Sequence, residues 1–142
     1  MNKGFVAEAS IAIHASIAKV WDALVNPETI RRYMFGTNAV SDWKGGSSIA
    51  WNGEWQGKKY EDKGIILKLQ PRRLLQYSHF SPLYGLLDTQ ENDHTVTIEL
   101  SSKGTQTLVS LAQDNNTTEQ ERERSEKNWK MMLTSLKKLL EK

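Results

Sequence analysis

The chain contains no cysteine among its 142 residues. It can therefore form neither a disulfide nor a thiolate-based catalytic or metal site. No apolar run approaches the roughly 18 residues that a membrane span requires. Lys3, followed by an apolar run that is broken at Glu8, makes a poor secretory signal. These absences predict a cytoplasmic protein without a membrane span.

Neither sign of charge dominates the sequence. It has 19 basic and 17 acidic residues, which give a net charge of +2. The basic pairs are scattered along the chain and form no stripe that a nucleic acid would follow, so we expect no nucleic-acid partner. The length suits one domain, and we expect residues 1–142 to form it around a single core.

The first 35 residues predict a strand followed by two short helices. Residues 5–13 favour a strand, and Ser16 is placed to cap a helix that begins at Ile17. Asn26 suits the N-cap of a second helix, with Pro27 at its first position. The apolar face of the first helix is predicted to comprise Ile17, Val20, Trp21, Leu24 and Val25.

Alternating apolar residues then predict an antiparallel meander of about six strands. In each strand one set of alternate side chains should face the core. The predicted inward sets are Ile49, Trp51 and Trp55; Ile65, Leu67 and Leu69; Leu75, Tyr77 and His79; and Val96, Ile98 and Leu100.

The sequence ends with a predicted amphipathic helix of about 24 residues. Thr118 and Glu121 have the spacing of a capping box at its start. Its apolar stripe comprises Trp129, Met132, Leu133, Leu136, Leu139 and Leu140. This is the one predicted helix long enough to cover a curved sheet, and the gap between such a sheet and a helix can hold an apolar ligand.

The sequence also resembles a known family, the one named for the activator of heat shock protein 90 ATPase, over nearly its whole length. The resemblance is carried by "IHASIAKVWDALVNPETIRRYMFG", "SDWKGGSSIAWNGEW", "YEDKGIILKLQPRRLLQYSHF" and "SEKNWKMMLTSLKKLLEK". Its most specific parts are residues 20–24 with Asn26-Pro27-Glu28, the Gly45-Gly46 turn, and Gly64 followed by Pro71.

The family lies within the START-like, birch-pollen-allergen-like superfamily. The resemblance implies a helix-grip α+β fold, in which a curved antiparallel sheet wraps around a long C-terminal helix and two short helices follow the first strand. Members of the superfamily bind lipids, hormones or polyketides, and some are cyclases or hydrolases.

His79 is the strongest catalytic candidate, because its alternation with Leu75 and Tyr77 points it inward. The sequence pattern places no carboxylate to orient the ring, so a structural histidine is the alternative and we assign no catalytic residue. The adjacent Glu61 and Asp62 must point to opposite sides of a strand, and we interpret both as surface or turn residues.

The remaining histidines, His14 and His94, lie at the ends of predicted elements and share no metal-ligand spacing, and we expect both to be solvated. There is no zinc, P-loop or Gly-x-Ser-x-Gly signature. We therefore expect neither a metal nor another cofactor.

The inward aromatic residues either fill a solid core or line a cavity with polar groups in its wall. We predict a cavity, in line with the resemblance. The predicted ligand-binding residues are Tyr33, Phe35, Trp51, Trp55, Tyr77, His79, Leu83, Tyr84, Leu86, Leu87, Trp129, Leu133 and Leu136.

Four of these residues, Leu83, Tyr84, Leu86 and Leu87, lie in the apolar loop "SPLYGLLDTQEND" at 81–93. Such a loop must cover something or touch another protein. It is either a lid over the cavity mouth near Phe35 or an interface for a protein partner or a second subunit.

The sequence as a whole predicts a protein that binds a small, largely apolar molecule, lipid-like or aromatic, between the sheet and the last helix. A protein-interaction module, such as a co-chaperone or ATPase activator, is one alternative. A cavity enzyme of the cyclase or hydrolase type is the other.

Overall fold

The computed structural model describes residues 4–55, 57–80 and 93–141. Its elements are, in chain order, β1 (Phe5–Ile13), α1 (Ile17–Val25), α2 (Pro27–Tyr33), β2 (Asn38–Ser41), β3 (Ser48–Trp55), β4 (Lys58–Gln70), β5 (Leu74–His79), β6 (His94–Lys103), β7 (Gln106–Asn116) and α3 (Glu119–Leu140).

The described strands form one antiparallel, seven-stranded sheet in the order β1-β7-β6-β5-β4-β3-β2. The first strand therefore pairs with the last and forms one edge of the sheet. α3 packs against β1 and β7 and also touches α2, while α1 contacts β6 and β7. This arrangement of a curved sheet and a long C-terminal helix confirms the predicted helix-grip α+β fold.

Local capping explains where the two short helices begin. The Ser16 hydroxyl accepts a hydrogen bond from the Lys19 N–H at 3.2 Å. The Asn26 side chain accepts one from the Glu28 N–H at 2.9 Å, with Pro27 in the first turn. Both caps were predicted, and both are confirmed.

α3 is 22 residues long and begins as predicted, with Thr118 as its N-cap. The Thr118 hydroxyl accepts a hydrogen bond from the Glu121 N–H at 3.0 Å. The Glu121 carboxylate accepts a hydrogen bond from the Thr117 N–H at 3.2 Å. In a capping box the donor would be the N–H of the N-cap residue, Thr118, which is one residue later. The stripe is confirmed: Met132, Leu133, Leu136 and Leu140 are buried, and Trp129 and Leu139 are partly buried against the core.

The core lies between the concave face of the sheet, the helical pair α1 and α2, and α3. The inward alternation predicted for β3, β5 and β6 is confirmed at residues whose side chains the structure describes. The buried members are Ile49, Trp51, Leu75, Tyr77, Val96, Ile98 and Leu100.

The prediction that Ile65 and Leu67 of β4 face the core is wrong. Ile66 is completely buried, whereas Ile65 and Leu67 are 49% and 46% exposed. Ile66 pairs with Tyr77 but Lys68 with Gln76, so β4 contains one extra residue at this point. A bulge of this kind changes the phase of the alternation, which is why Leu69 still packs against the core.

α3 also covers the free edge of β1 with side-chain hydrogen bonds. The contacts are Glu8 N–H to Glu126 Oε2 (3.1 Å), His14 N–H to Glu141 Oε2 (2.7 Å), and Lys137 Nζ to the Ala12 carbonyl oxygen (2.8 Å). An uncovered edge offers backbone groups to other strands, and these side chains satisfy some of them.

Candidate functional site

Four side chains lie next to one another across the concave face of β3, β4, β5 and β6. Trp51 is paired with Asp62, and His79 with His94, while Asp62 and His79 are joined through their side chains. We call this set, Trp51, Asp62, His79 and His94, the cross-strand row. It places ionisable and aromatic groups together on a face that is otherwise mainly apolar.

Asp62 and His79 form the centre of the row. His79 Nε2 lies 2.9 Å from Asp62 Oδ2, and their side chains are 21% and 15% exposed. The interpretation of Asp62 as a surface or turn residue is therefore wrong. With Ile66 inward, Asp62 is inward too, because residues four apart in a strand share a face. Asp62 is thus the carboxylate beside His79 that the sequence pattern did not predict.

The second carboxylate oxygen of Asp62 is unusual. Oδ1 is buried and has no hydrogen-bond partner among the described residues. A buried polar atom without a partner destabilises a protein by about 1–3 kcal/mol, and by more when it is charged. The row therefore holds a strong acceptor that no group in the described part of the chain satisfies.

Trp51 forms an aromatic wall beside this pair. Its ring centroid lies 5.0 Å from that of His79, edge to face, and 5.0 Å from that of Tyr77. Trp51 and Tyr77 are both buried, as predicted. Rings at these distances attract one another and keep the imidazole in place.

His94 closes the row on β6. It is only 4% exposed, so the prediction that it is solvated is wrong, whereas His14 is exposed as predicted. His94 Nδ1 lies 2.7 Å from the Asp114 carbonyl oxygen, and it must carry the proton because a carbonyl only accepts. The inward alternation of Val96 and Ile98 could have identified His94 as their neighbour on the same face.

Tyr33 reaches the site from α2. It is buried, and burial together with the nearby Tyr77 raises the pKa of its phenol. Burial favours the neutral form of the phenol, so Tyr33 remains protonated at physiological pH.

Trp129 links α3 to the same face. Its Nε1–H donates a hydrogen bond to Oε1 of Gln113, a buried residue of β7. Leu133 and Leu136 follow on the buried stripe of the helix. The sequence predicted Trp129 as a site residue but did not identify Gln113. The inward position of Gln113 follows from its place opposite Val96.

A further polar contact that the sequence analysis missed lies at the far end of β4. The Thr37 hydroxyl and the Tyr60 phenol are 2.8 Å apart. The Tyr60 ring lies over Gly53, where an added Cβ would come within 2.5 Å of its hydroxyl oxygen. A glycine inside a strand often marks such a close approach, and this was the signal available in the sequence.

One predicted site residue of the described structure, Phe35, does not join the cluster. Phe35 is 61% exposed just after α2, in the left-handed backbone region with φ of 56°. The predictions for the Trp55 side chain and for Leu83, Tyr84, Leu86 and Leu87 lie outside the described residues.

No group of three His, Asp or Glu side chains among residues 4–55, 57–80 and 93–141 is arranged to hold a metal ion. None of the helices in the described part of the chain has the length and hydropathy that a membrane-spanning segment requires.

Comparison with solved structures shows the same fold elsewhere. The solution structure of ChR145 from Cytophaga hutchinsonii is 57% identical, with a TM-score of 0.86 over 99% of this chain and 97% of that one. CalU16 from Micromonospora echinospora is 24% identical, with a TM-score of 0.71 over 93% of this chain and 81% of that one. The Aha1 dimer from Colwellia psychrerythraea is 21% identical, with a TM-score of 0.74 over 96% of each chain.

Comparison with curated proteins finds no significant match. The family model described as "Activator of Hsp90 ATPase homolog 1-like protein" matches residues 14–141, which include α1, α2, the sheet from β2 to β7, and all of α3. The match therefore covers every residue of the cross-strand row. The chain belongs to the family of Activator of Hsp90 ATPase homolog 1-like proteins.

Proposed function

We propose that the protein binds a small, largely apolar molecule against the concave face of the sheet, with the cross-strand row at the binding site. The observation that carries the proposal is the partly exposed Asp62–His79 pair beside the aromatic wall of Trp51 and Tyr77. Ligand sites typically combine apolar and aromatic walls with a few polar groups that orient the ligand.

The energetics of the row support binding over simple packing. A well-packed apolar core needs no carboxylate, and keeping one there without a full set of partners destabilises the fold. Proteins tolerate such groups at functional sites, where the unsatisfied group meets a ligand. Asp62, with one oxygen bonded to His79 and the other unpaired among residues 4–55, 57–80 and 93–141, matches that description.

The test is a titration with N-phenyl-1-naphthylamine, a neutral apolar dye whose fluorescence rises in an apolar site. Trp51→Leu should weaken dye binding about tenfold, because losing about 50 Å² of ring contact removes roughly 25 cal/mol per Å². Trp43→Leu is the control, since Trp43 is a partly buried tryptophan that packs against the core but is not in the row. Circular dichroism should verify that both variants fold.

Saturable binding that weakens in Trp51→Leu and persists in Trp43→Leu would support the proposal. Failure of the folded wild-type protein to bind the dye saturably would contradict it. Equal weakening in the two variants would place the binding surface outside the row.

The Asp62–His79 hydrogen bond favours one second candidate, an enzyme that uses His79 as a general base. In the tautomer in which Nε2–H donates to Asp62, Nδ1 carries the lone pair that a base needs. His79 would take a proton from water as the oxygen attacks an ester carbonyl, and then return that proton to the leaving alkoxide.

Release of 2-naphthol from 2-naphthyl acetate tests this candidate. The rate should fall at least about a hundredfold in His79→Gln, which is the lower range for the loss of a general base. It should be unchanged in Glu61→Gln, which alters an exposed carboxylate on the opposite face of the same strand. Equal rates for the wild type and His79→Gln would eliminate the enzyme.

A further inference from the structure

We infer that the ligand carries a neutral hydroxyl group, alcoholic or phenolic, that donates a hydrogen bond to Asp62 Oδ1. This inference depends on the proposed binding function and specifies the chemical class of the ligand. The two oxygens of the Asp62 carboxylate differ in their hydrogen bonding. Oδ2 is bonded to His79, whereas Oδ1 is buried and none of the described residues is its partner.

The unpaired oxygen requires a donor. An ionised carboxylate only accepts hydrogen bonds, so a group that satisfies Oδ1 must bring an O–H or N–H. Hydrogen bonds to a charged acceptor are about twice as strong as those between neutral groups. A ligand that supplies a donor at this position therefore gains affinity that a purely apolar ligand of equal size does not.

The charge of the row argues against an anionic head group. Among the described contacts of Trp51, Asp62, His79 and His94 there is no lysine or arginine. A ligand carboxylate or phosphate would lie beside the Asp62 carboxylate, where a buried like-charge pair is strongly unfavourable. This excludes fatty acids and phosphate esters oriented with their charge toward the row.

The aromatic wall favours an unsaturated or bulky apolar group next to the hydroxyl. Trp51 is at the centre of the ring contacts, 5.0 Å from both His79 and Tyr77. A flat ring that extends from the hydroxyl would add a further aromatic contact to this wall. A neutral alcohol or phenol thus suits both parts of the row: its hydroxyl can donate to Asp62 Oδ1, and its apolar part can contact Trp51.

Three probes of the same ring size test the inference by titration calorimetry at neutral pH. 2-Naphthol has a donor, 2-methoxynaphthalene has the same oxygen without its proton, and 2-naphthoate carries a negative charge. With the wild-type protein, 2-naphthol should bind about tenfold or more tightly than 2-methoxynaphthalene. 2-Naphthoate should bind more weakly than either. This ranking needs no variant to fold.

The assignment to Asp62 is tested by Asp62→Asn, which keeps the size of the side chain and removes its charge. The preference for 2-naphthol over 2-methoxynaphthalene should disappear, because the amide oxygen keeps the hydrogen bond from His79 and an NH2 group, which donates and does not accept, takes the place of Oδ1. Glu61→Gln is the matched control: it neutralises the neighbouring, exposed carboxylate of β4 and should leave the preference unchanged.

The outcomes separate this inference from the proposed function. If 2-methoxynaphthalene or 2-naphthoate binds the wild type as tightly as 2-naphthol, the hydroxyl inference is wrong while apolar binding stands. If the preference persists in Asp62→Asn, another acceptor takes the hydroxyl and the assignment to Asp62 is wrong. If neither these probes nor N-phenyl-1-naphthylamine binds, the proposed function fails and the inference fails with it.

Discussion

At the scale of single residues, most of what the sequence did not reveal about the site follows from one wrong prediction, the choice of which face of β4 points toward the core. The large side chains of Ile65 and Leu67 suggested that the odd-numbered residues of β4 face the core, yet both are about half exposed. Once Ile66 is recognised as the buried residue, Asp62 is inward on the same strand. Hydrophobicity alone could not decide this, because isolated apolar residues are common on protein surfaces.

Trp129 and Gln113 supply a prediction at this scale. Trp129→Phe should lower the free energy of unfolding by about 1–3 kcal/mol, because it leaves the buried Gln113 oxygen without its donor. In a double-mutant cycle with Gln113→Leu, the two losses should be coupled by about 1 kcal/mol. Urea denaturation of the four proteins measures this. Losses that add within about 0.3 kcal/mol would show that the hydrogen bond does not anchor α3.

At the scale of elements, the sequence predicted helices better than strands, and the reason is the range of the interactions. The caps at Ser16, Asn26 and Thr118 act within one turn, so their signals are complete in the local sequence. The phase of β4 depends instead on its pairing with β5 across a bulge between Ile66 and Lys68. No local pattern contains that information, because the register is fixed by the partner strand.

Gly64 gives the prediction for β4. A Cβ built on it would lie 1.7 Å from the Ser78 carbonyl oxygen, a distance at which β4 and β5 could not keep their spacing. Gly64→Ala should therefore lower the free energy of unfolding by more than about 3 kcal/mol, in the range of severe overpacking. Thermal or urea denaturation provides the measurement.

Gly45→Ala is the matched control for this substitution. Nothing lies within 4 Å of a Cβ at Gly45, so the change should be neutral or slightly stabilising. Similar losses in the two variants would show that the close approach of Gly64 to Ser78 does not account for the effect.

At the scale of the whole molecule, the first strand and the last helix close one side of the fold. β1 is an edge strand, Glu126 and Lys137 of α3 bond to its backbone, and the C-cap residue Glu141 bonds to the adjoining His14. The sequence predicted the apolar stripe of α3 but not the contacts of its polar side with β1. These contacts join residues more than 115 positions apart in the chain, so they could be recognised only from the assembled fold.

This closure predicts a specific response to acid. The Glu8 N–H is the main cause that lowers the pKa of Glu126, and the His14 N–H is the main cause that lowers the pKa of Glu141, from an ordinary value of 4.5. A carboxyl whose pKa is lower in the folded state than in the unfolded state stabilises the fold above the unfolded pKa, and this contribution disappears as pH falls through the folded pKa. The wild-type protein should therefore lose stability as the pH falls below about 4.5.

Urea denaturation from pH 7 to pH 3 compares the wild type with the double variant Glu126→Gln/Glu141→Gln. The variant should be less stable at pH 7 and should lose less on acidification, so the two curves should converge at low pH. Glu123→Gln, which changes an exposed carboxylate of α3, should follow the wild type. Hydrogen exchange at the Glu8 and His14 amides should be faster in the double variant at pH 7, because both lose a charged acceptor. Parallel stability curves with unchanged exchange would show that α3 holds β1 through its apolar stripe alone.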